Sequence, residues 1–339
     1  MEYRYLGNSG LRVSALCLGT WTFGSEKSVG AIGYDMAKSI VDLAIDNGIN
    51  FFNTADAYSN GESEILLGKA ISTHKRENLI ISTKVRFLGS SPKRDVIISG
   101  LSRKQIIERC NDSLKRLGTD YIDVYILHGF DKHVPLEETL RALDDLVRQG
   151  KVRYIGCSNF SAWQVMKGLW ISDKQNLEKF KTLELYYSLA AREIEFEMTP
   201  LCIDQGIGIM VWSPLSGGFF SGKYQRGSPR PKDSRRDDIN KPEIKWLPMD
   251  EDKGFDIIDE LEKISIKHNK TIAQVAINYI LNKPAVSSVV IGVRKLEQLK
   301  DNVGSVGGFM TKEEIGALDV ISMPAVIYPY WHHKLTENQ

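Results

Sequence analysis

The sequence has few cysteines, and their positions exclude several kinds of small cross-linked domain. Its 339 residues contain only four, which are far apart and form no C-x-x-C pair: Cys17, Cys110, Cys157 and Cys202. This spacing argues against a zinc site or a disulfide framework, so we expect no bound metal. Four free thiols suit a reducing compartment, and we expect a cytoplasmic location.

The chain also has almost no net charge. Its 44 Lys and Arg residues against 43 Asp and Glu residues give a net charge of +1, so no overall field attracts nucleic acid or an anionic membrane. Hydrophobic residues make up 42 % and charged residues 26 %, which excludes disorder for the bulk of the chain. The expected partner is therefore a small molecule, and the oligomeric state is left open.

The sequence lacks the long apolar runs of membrane and exported proteins. Residues 1–14 have no apolar core of the kind that a signal peptide needs. The longest run without a charged side chain covers residues 205–222, but it holds five glycines, three serines and Pro214. We interpret this run as a buried strand followed by a loop and not as a membrane helix.

What the sequence does contain is an alternation of short apolar runs and amphipathic segments. The eight runs of strand length are Ala15–Leu18, Ile49–Phe52, Leu79–Thr83, Asp123–Leu127, Val152–Gly156, Thr182–Leu185, Ile207–Trp212 and Ser288–Ile291. The segments predicted as helices are Asp35–Asn47, Ser102–Leu117, Leu136–Gln149, Ser161–Ile171, Ile194–Gln205, Leu296–Val303 and Thr311–Ile321.

This alternation predicts an α/β protein with a (β/α)8 TIM barrel, in one domain over residues 1–339. Strands that alternate with helices pair in parallel, and eight parallel strands close around a filled interior. A doubly wound sheet would require G-x-G-x-x-G after the first strand, and residues 19–24, GTWTFG, do not fit that pattern. An N-terminal β-hairpin over Tyr3–Val13 is expected to precede the barrel.

A long polar loop, Lys223–Lys245, follows the seventh predicted strand and has two interpretations. Its eight basic and four acidic residues, with three prolines, are typical of a solvated loop. Barrels of this class also bind phosphate groups beside the seventh strand, so a role in ligand binding fits equally well.

Three chemically active side chains follow successive predicted strands, where barrels carry their chemistry. Tyr58 follows the second strand, Lys84 the third and His128 the fourth. Each alone has an ordinary structural explanation, but together they form an acid site for a carbonyl oxygen. The lysine cation favours tyrosinate and so lowers the pKa of Tyr58 from about 10, and the imidazole can orient the oxygen. No nucleophilic triad is visible, and a hydride from a bound nicotinamide would complete the reaction.

Several motifs, in order along the chain, resemble the signatures of the aldo-keto reductases. They are NTADAY at 53–58, STK at 82–84, DVYILH at 123–128, GCSN at 156–159, VWSPL at 211–215 and VIGVR at 290–294. The resemblance runs from about residue 3 to residue 333. It is strongest to the bacterial branch near aryl-alcohol dehydrogenases, with potassium-channel β subunits as more distant relatives. It implies a TIM barrel that interconverts a carbonyl compound and an alcohol with NADP(H).

The resemblance makes Tyr58 the general acid, Lys84 the partner that lowers its pKa and His128 the group that orients the carbonyl. The fourth position of the family's tetrad is an aspartate five residues before the tyrosine, and here it is Asn53. Without that carboxylate, two effects are possible. Lys84 either loses its proton more easily, or it stays charged and acts on Tyr58 with no nearby negative charge to offset its own. We expect the first effect to dominate, activity to be reduced, and Asn53→Asp to raise turnover.

The resemblance also implies a nicotinamide site. Ser158 and Asn159 match residues that bind the carboxamide, and Trp212 matches an aromatic ring that stacks on the nicotinamide. Glu184 stands where the family usually has glutamine, and a carboxylate can accept from the amide NH2 but cannot donate to the amide oxygen. Other residues assigned to the cofactor are Gly19, Thr20, Trp21, Ser213, Pro214, Leu215 and Gly217.

The 2′-phosphate of the cofactor is expected at the family's basic positions. These positions are occupied here by Lys223, Arg235 and Arg294. Gln298 and Asn302 follow at four and eight residues from Arg294, so a helix places them on one face, toward the adenine. An ordinary amphipathic helix also explains Gln298 and Asn302. It does not explain Gly292, which would let a phosphate approach the backbone amides closely. NADP(H) is therefore favoured over NAD(H).

The substrate pocket is the part that the sequence defines least. Aromatic residues that could line an apolar mouth are Trp21, Phe87, Tyr187 and Trp331. They suit an aromatic or medium-sized aldehyde, although Phe87 and Tyr187 fit the barrel core equally well. Two functions stay open: NADPH-dependent reduction of an aldehyde or ketone, and an NADP(H)-binding regulatory or partner protein with little turnover, which Asn53 would permit.

Overall fold

The structure, a computed structural model, describes residues 1–25, 31–87, 100–231, 247 and 249–336. A hairpin of β1 (Tyr3–Tyr5) and β2 (Arg12–Ser14) opens the chain. Eight parallel strands then form a closed barrel, each paired with the next along the chain and the last with the first. They are β3 (Leu16–Gly19), β4 (Phe51–Asn53), β5 (Ile80–Val85), β6 (Ile122–Leu127), β7 (Val152–Ser158), β8 (Thr182–Tyr186), β9 (Gly208–Trp212) and β10 (Val286–Gly292).

The predicted TIM barrel and its N-terminal hairpin are thus confirmed. The hairpin covers the end of the barrel at which the strands begin. There the Arg4 guanidinium donates to the carbonyl oxygens of Leu281 and Val286. The backbone amide of Asn8 donates to the Gly206 carbonyl at 2.6 Å. The opposite end of the barrel stays open for ligands.

Helices fill the connections between the strands. They are α1 (Tyr34–Asp46), α2 (Glu62–Ile71), α3 (Arg103–Leu117), α4 (Leu136–Arg148), α5 (Ala162–Gln175), α6 (Ile194–Gln205), α7 (Glu251–His268), α8 (Ile272–Leu281), α9 (Leu296–Val303), α10 (Lys312–Ile321) and α11 (Tyr330–Thr336). Short 3-10 helices lie at Tyr58–Gly61, Arg76–Asn78 and Ser216–Ser221.

Four of these helices, α2, α7, α8 and α11, do not appear among the predicted ones. The α8 helix is apolar on nearly all sides and almost wholly buried, so it lacks the polar face that marks an amphipathic helix. Its start is nevertheless marked by a capping box, in which Thr271 and Gln274 exchange side-chain and backbone hydrogen bonds. The α7 helix begins at Asp250, whose carboxylate accepts from the Lys253 amide. For α7 and α8, the capping residues in the sequence indicate the start of the helix better than the hydrophobic periodicity does.

The interior of the barrel has two layers of different chemistry. The lower layer is an apolar cluster of inward-facing side chains plus two from the hairpin region: Leu6, Val13, Cys17, Phe51, Ile80, Val124, Ile126 and Met210. One step further along the strands, the inward positions are polar, with Asn53, Ser82, Lys84, Ser158 and Glu184 all buried. The apolar layer supports the polar one and excludes water from below it.

The long loop predicted after the seventh barrel strand, Lys223–Lys245, follows the 3-10 helix Ser216–Ser221 and lies largely outside the described residues. Among the helices that the structure does describe, none is long and apolar enough to cross a membrane.

Candidate active site

Lys84 lies at the centre of the polar layer and is fully buried. Its ammonium donates to Asn53 Oδ1 at 2.6 Å, to the Thr54 carbonyl at 2.9 Å and to the Tyr58 hydroxyl at 3.2 Å. Its Nζ also lies 3.2 Å from Glu184 Oε1, which makes an ion pair across the barrel interior. Lys84 is therefore held by an amide, a phenol and a carboxylate at once.

This geometry corrects the expectation that Lys84 lacks a carboxylate. The two departures from the family pattern, Asn53 and Glu184, are in contact: Asn53 Nδ2 donates to Glu184 Oε2 at 2.8 Å and to Ser82 Oγ at 2.9 Å. Burial acts to lower the pKa of Lys84, but Glu184 and then Tyr58 raise it, and the net direction is upward. Easier loss of the Lys84 proton was the wrong prediction.

Tyr58 begins the 3-10 helix that follows β4 by four residues, and it faces Lys84 and His128. Its ring centroid is 5.8 Å from that of His128 and 5.0 Å from the Lys84 ammonium. The three residues on which the sequence argument rested thus converge at the carboxyl ends of β4, β5 and β6.

His128 is a neutral base in this setting. Burial, followed by the positive charges of Lys84 and Arg86, holds the pKa of the imidazole well below its usual range. Its Nδ1 has no hydrogen-bond partner among the residues that the structure describes. A neutral imidazole can donate one hydrogen bond to a carbonyl oxygen without changing the charge of the site.

A cavity of about 870 Å³ opens above these side chains, at the carboxyl ends of the strands. Lys84 lies beneath it. Most predicted site residues line it: Gly19, Trp21, Asn53, Tyr58, Phe87, His128, Ser158, Asn159, Glu184, Trp212, Ser213, Pro214, Leu215, Gly217, Lys223, Gly292, Arg294, Gln298 and Asn302.

Three predicted site residues lie elsewhere in the described structure. The Thr20 side chain is buried against helix α2, with its hydroxyl 2.8 Å from Ser63 Oγ, and it does not line the cavity. Tyr187 is a core residue, and its hydroxyl donates to Glu195. Trp331 is 47 % exposed on α11 and contacts Tyr328 and His332 in place of the cavity. Arg235 lies outside the described residues.

The cavity wall at the ends of β7, β8 and β9 is joined by ring stacking and hydrogen bonds. Trp212 stacks on Tyr186 with ring centroids 4.8 Å apart, and its Nε1 donates to Asn159 Oδ1 at 3.3 Å. Asn159 Nδ2 donates to Ser158 Oγ, which in turn donates to the Glu184 carbonyl at 2.7 Å. Asn159 adopts φ 57°, in the left-handed region that non-glycine residues seldom occupy, which is typical of functional sites.

The far end of the cavity is formed by the start of α9. Gln298 Oε1 accepts from the backbone amides of Arg294 at 2.8 Å and of Lys295 at 3.2 Å, so this side chain caps the helix. Gly292 has open space where a Cβ would stand. Arg294 and Lys223 are two cations among the residues that line the same cavity.

A buried ion pair beside Tyr58 was not predicted. Asp56 Oδ2 lies 2.7 Å from Arg109 Nε on α3, so the Asp56 carboxylate pairs with Arg109, in agreement with its exclusion from the tetrad. Burial raises the pKa of Asp56 to about 7, and Glu64 adds to the rise while Arg109 opposes it. The two residues are 53 positions apart, and no local pattern in the sequence connects them.

Residues 15–322 match the sequence model of the Aldo/keto reductase family. The chain belongs to this family. It is 36 % identical to an uncharacterized oxidoreductase of Bacillus subtilis, over 95 % of this chain and 96 % of the relative. It is 37 % identical to a probable voltage-gated potassium channel subunit beta of Arabidopsis thaliana, over 90 % of this chain and 91 % of the relative. It is 34 % identical to the versiconal hemiacetal acetate reductase of Aspergillus parasiticus, over 97 % and 99 %.

Family membership makes this aldo/keto reductase an oxidoreductase by fold and by descent. Tyr58 and His128 line one cavity, with Lys84 buried beneath it in contact with Tyr58, at the end of the barrel where this fold carries its chemistry.

Proposed function

We propose that this aldo/keto reductase reduces an aldehyde or ketone to an alcohol with NADPH, and catalyses the reverse oxidation with NADP+. The observation that carries the proposal is the convergence of a phenol, a buried ammonium and a neutral imidazole on one cavity. None of these groups is arranged as a nucleophile, whereas all three suit a carbonyl oxygen that gains a proton.

Each residue has a distinct part in that proton transfer. Tyr58 gives its phenolic proton to the carbonyl oxygen, and the Lys84 ammonium at 3.2 Å stabilises the phenolate that remains. His128, which is neutral, donates a hydrogen bond that orients the carbonyl oxygen. NADPH, when bound, supplies the hydride to the carbonyl carbon. Hydride and proton together convert the carbonyl into an alcohol, so the reaction is balanced without a further reactant.

The residues that line the cavity support NADP(H) as the cofactor. At the catalytic end, Ser158, Asn159 and Trp212 would hold the nicotinamide. At the other end, Lys223 and Arg294 provide cations for the 2′-phosphate, beside the open backbone of Gly292. Further residues for the adenine are Gln298 and Asn302. Two cations at one end of a dinucleotide-sized cavity support NADP(H) over NAD(H).

The mouth of the cavity supports an aromatic or medium-sized carbonyl substrate. The Trp21 ring lies 6.4 Å from the Tyr58 ring, and the Phe87 ring lies 5.1 Å from the His128 ring. Both apolar rings flank the acid group, so an apolar substituent on the carbonyl carbon would pack between them. A small carbonyl or alcohol compound is thus the proposed partner. We also infer a cytoplasmic location, since the four cysteines are buried free thiols.

A second candidate function is cofactor-dependent regulation of a partner protein. The observation that favours it is the 37 % identity to the Arabidopsis protein named as a probable channel β subunit. Such a protein would bind NADP(H) through the same cavity and turn over little substrate.

One assay separates the two functions. NADPH and NADH binding are titrated by fluorescence, and NADPH oxidation is then followed against a panel of aromatic and aliphatic aldehydes and ketones. The reductase proposal expects tighter binding of NADPH than of NADH and steady-state turnover of at least one aromatic aldehyde. Tight NADPH binding with no more than a single turnover on every compound would contradict it and favour the regulatory function.

A further inference from the structure

We propose that the negative charge of the catalytic centre is carried by Glu184 on β8 and not by position 53 on β4, and that Asn53 and Glu184 function only as a matched pair. The catalytic meaning of this pair rests on the proposed function, but its structural meaning does not. Glu184 acts here as a positioning residue, through Lys84.

A buried ammonium requires an anion, and Glu184 is the one that the described structure supplies. Lys84 is fully buried, and its other acceptors are the Asn53 amide, the Thr54 carbonyl and the Tyr58 hydroxyl, which carry no formal charge. Glu184 Oε1 at 3.2 Å is the ion-pair partner, itself only 3 % exposed. A cation removed from water without such a partner is strongly destabilised, so Glu184 keeps Lys84 charged and in place.

Asn53 fits this arrangement because an amide both accepts and donates. Its Oδ1 accepts from Lys84 at 2.6 Å, and its Nδ2 donates to Glu184 Oε2 at 2.8 Å and to Ser82 Oγ at 2.9 Å. An aspartate at position 53 could accept from Lys84 but could not donate to Glu184. Two carboxylates would then face each other at hydrogen-bond distance, and one of them would have to take up a proton.

The two positions are therefore coupled through their chemistry. Asparagine at position 53 with glutamate at position 184 gives one negative charge and a donor between the two groups. Aspartate at position 53 with glutamine at position 184 gives the same charge and the same hydrogen bond with the roles exchanged. The mixed combinations fail in opposite ways, since two carboxylates bring one charge too many and two amides bring none.

This coupling overturns the simple expectation for Asn53→Asp. With Glu184 in place, the added carboxylate does not restore a missing partner of Lys84 but crowds an existing one. The single substitution is expected to lower turnover, and it is the double variant Asn53→Asp/Glu184→Gln that should work.

The test compares four proteins: the wild type, Glu184→Gln, Asn53→Asp and the double variant Asn53→Asp/Glu184→Gln. Glu193→Gln, at an exposed position before α6, is the control for a glutamate-to-glutamine change. For each protein, the kcat for NADPH-dependent aldehyde reduction is measured from pH 5 to 9, and the thermal unfolding midpoint and the NADPH dissociation constant are measured in parallel.

We expect each single variant to lose about tenfold or more in kcat, with a changed pH profile and a lower unfolding midpoint. The double variant should recover to within about threefold of the wild-type kcat and regain most of the unfolding midpoint. Both positions line the cavity, so the NADPH dissociation constants are compared across the set, and kcat is measured at saturating NADPH to separate turnover from cofactor binding. Recovery in the double variant is the readout that an independent structural role for each residue would not produce.

Two outcomes would overturn the proposal. One is a Glu184→Gln protein with the kcat, pH profile and unfolding midpoint of the wild type. The other is a double variant no better than its worse single parent. If the wild type reduces no carbonyl compound, the proposed function fails by itself, and the unfolding midpoints of the four proteins still decide the coupling between positions 53 and 184.

Discussion

The catalytic end of the cavity is buried inside the barrel, whereas the part proposed to hold the cofactor's 2′-phosphate, called the phosphate end below, lies on outer segments open to solvent. At the catalytic end, Lys84 and Glu184 form an ion pair that is almost wholly shielded from water. At the phosphate end, Lys223 is exposed and Arg294 is half-buried at the start of α9. Removing a charged side chain should therefore destabilise the protein strongly at the catalytic end and only weakly at the phosphate end.

This contrast has a functional consequence. A fixed proton donor needs a partner whose charge and position do not vary, and the interior of the barrel provides it. A cofactor that must enter and leave needs cations that can form and release contacts with a phosphate.

The largest effect is expected for Lys84→Met, which removes the ammonium at nearly the same length. It leaves Glu184 buried without its ion-pair partner, and such a loss costs about 3–5 kcal/mol of unfolding free energy. Turnover should be lost as well, because the Tyr58 phenolate loses its stabilising cation. Denaturant unfolding and NADPH oxidation check both effects, with the exposed Lys167→Met as the control. Unchanged stability would mean that the buried pair does not carry the charge of the site.

The next effect concerns pH and the second buried pair at the catalytic end. Since burial raises the pKa of Asp56 from 3.8 to about 7, the folded protein binds this proton more tightly than the unfolded chain. The free energy of unfolding should therefore fall as pH rises from about 4 to about 7, by up to about 4 kcal/mol from this group. Asp56→Asn should remove that part of the pH dependence in denaturant unfolding between pH 4 and 8. Parallel curves for the two proteins would contradict it.

A smaller and more selective effect is expected for Arg294→Ala at the phosphate end. Loss of one charge-assisted hydrogen bond should weaken NADPH binding by about 1–3 kcal/mol while leaving NADH binding nearly unchanged. Fluorescence titration with both cofactors measures the two affinities. Equal losses for both would remove Arg294 from the phosphate site.

The smallest effect is expected for Lys223→Ala. This side chain is exposed, so its contribution to NADPH binding should be about 1 kcal/mol or less and should shrink at high salt. The same titration at 0.05 M and 0.5 M salt checks it. A salt-independent loss as large as that of Arg294→Ala would mean that the two ends of the cavity are less different than the structure indicates.

The same contrast explains which parts of the site the sequence predicts. At the phosphate end, Arg294 lies just before α9 and its backbone amide donates to Gln298 in the first turn, so residues close together in the sequence are also in contact. The barrel and its hairpin follow likewise from the alternation of strands and helices. Helix α8 was not predicted, because a buried helix lacks the polar face by which an amphipathic helix is recognised in a sequence.

At the catalytic end the decisive contacts join residues far apart in the chain. Asn53 and Glu184 are separated by 131 positions, and each could be recognised only as a separate departure from the family pattern. Their contact depends on β4 and β8 facing each other across the closed barrel, and on the rotamers of both side chains. The aromatic residues were uncertain for a similar reason: Tyr187 and Phe87 both follow strands, but only Phe87 faces the cavity.

The central claim is that Tyr58 protonates a carbonyl compound while the cofactor is held by other residues. The measurement that tests it most directly is the kcat of Tyr58→Phe with saturating NADPH, with NADPH affinity determined on the same samples and Tyr5→Phe on the distant hairpin as the control. The account predicts a loss of about a hundredfold or more in kcat, with NADPH affinity unchanged and Tyr5→Phe like the wild type. A Tyr58→Phe protein that keeps most of its turnover would contradict the account.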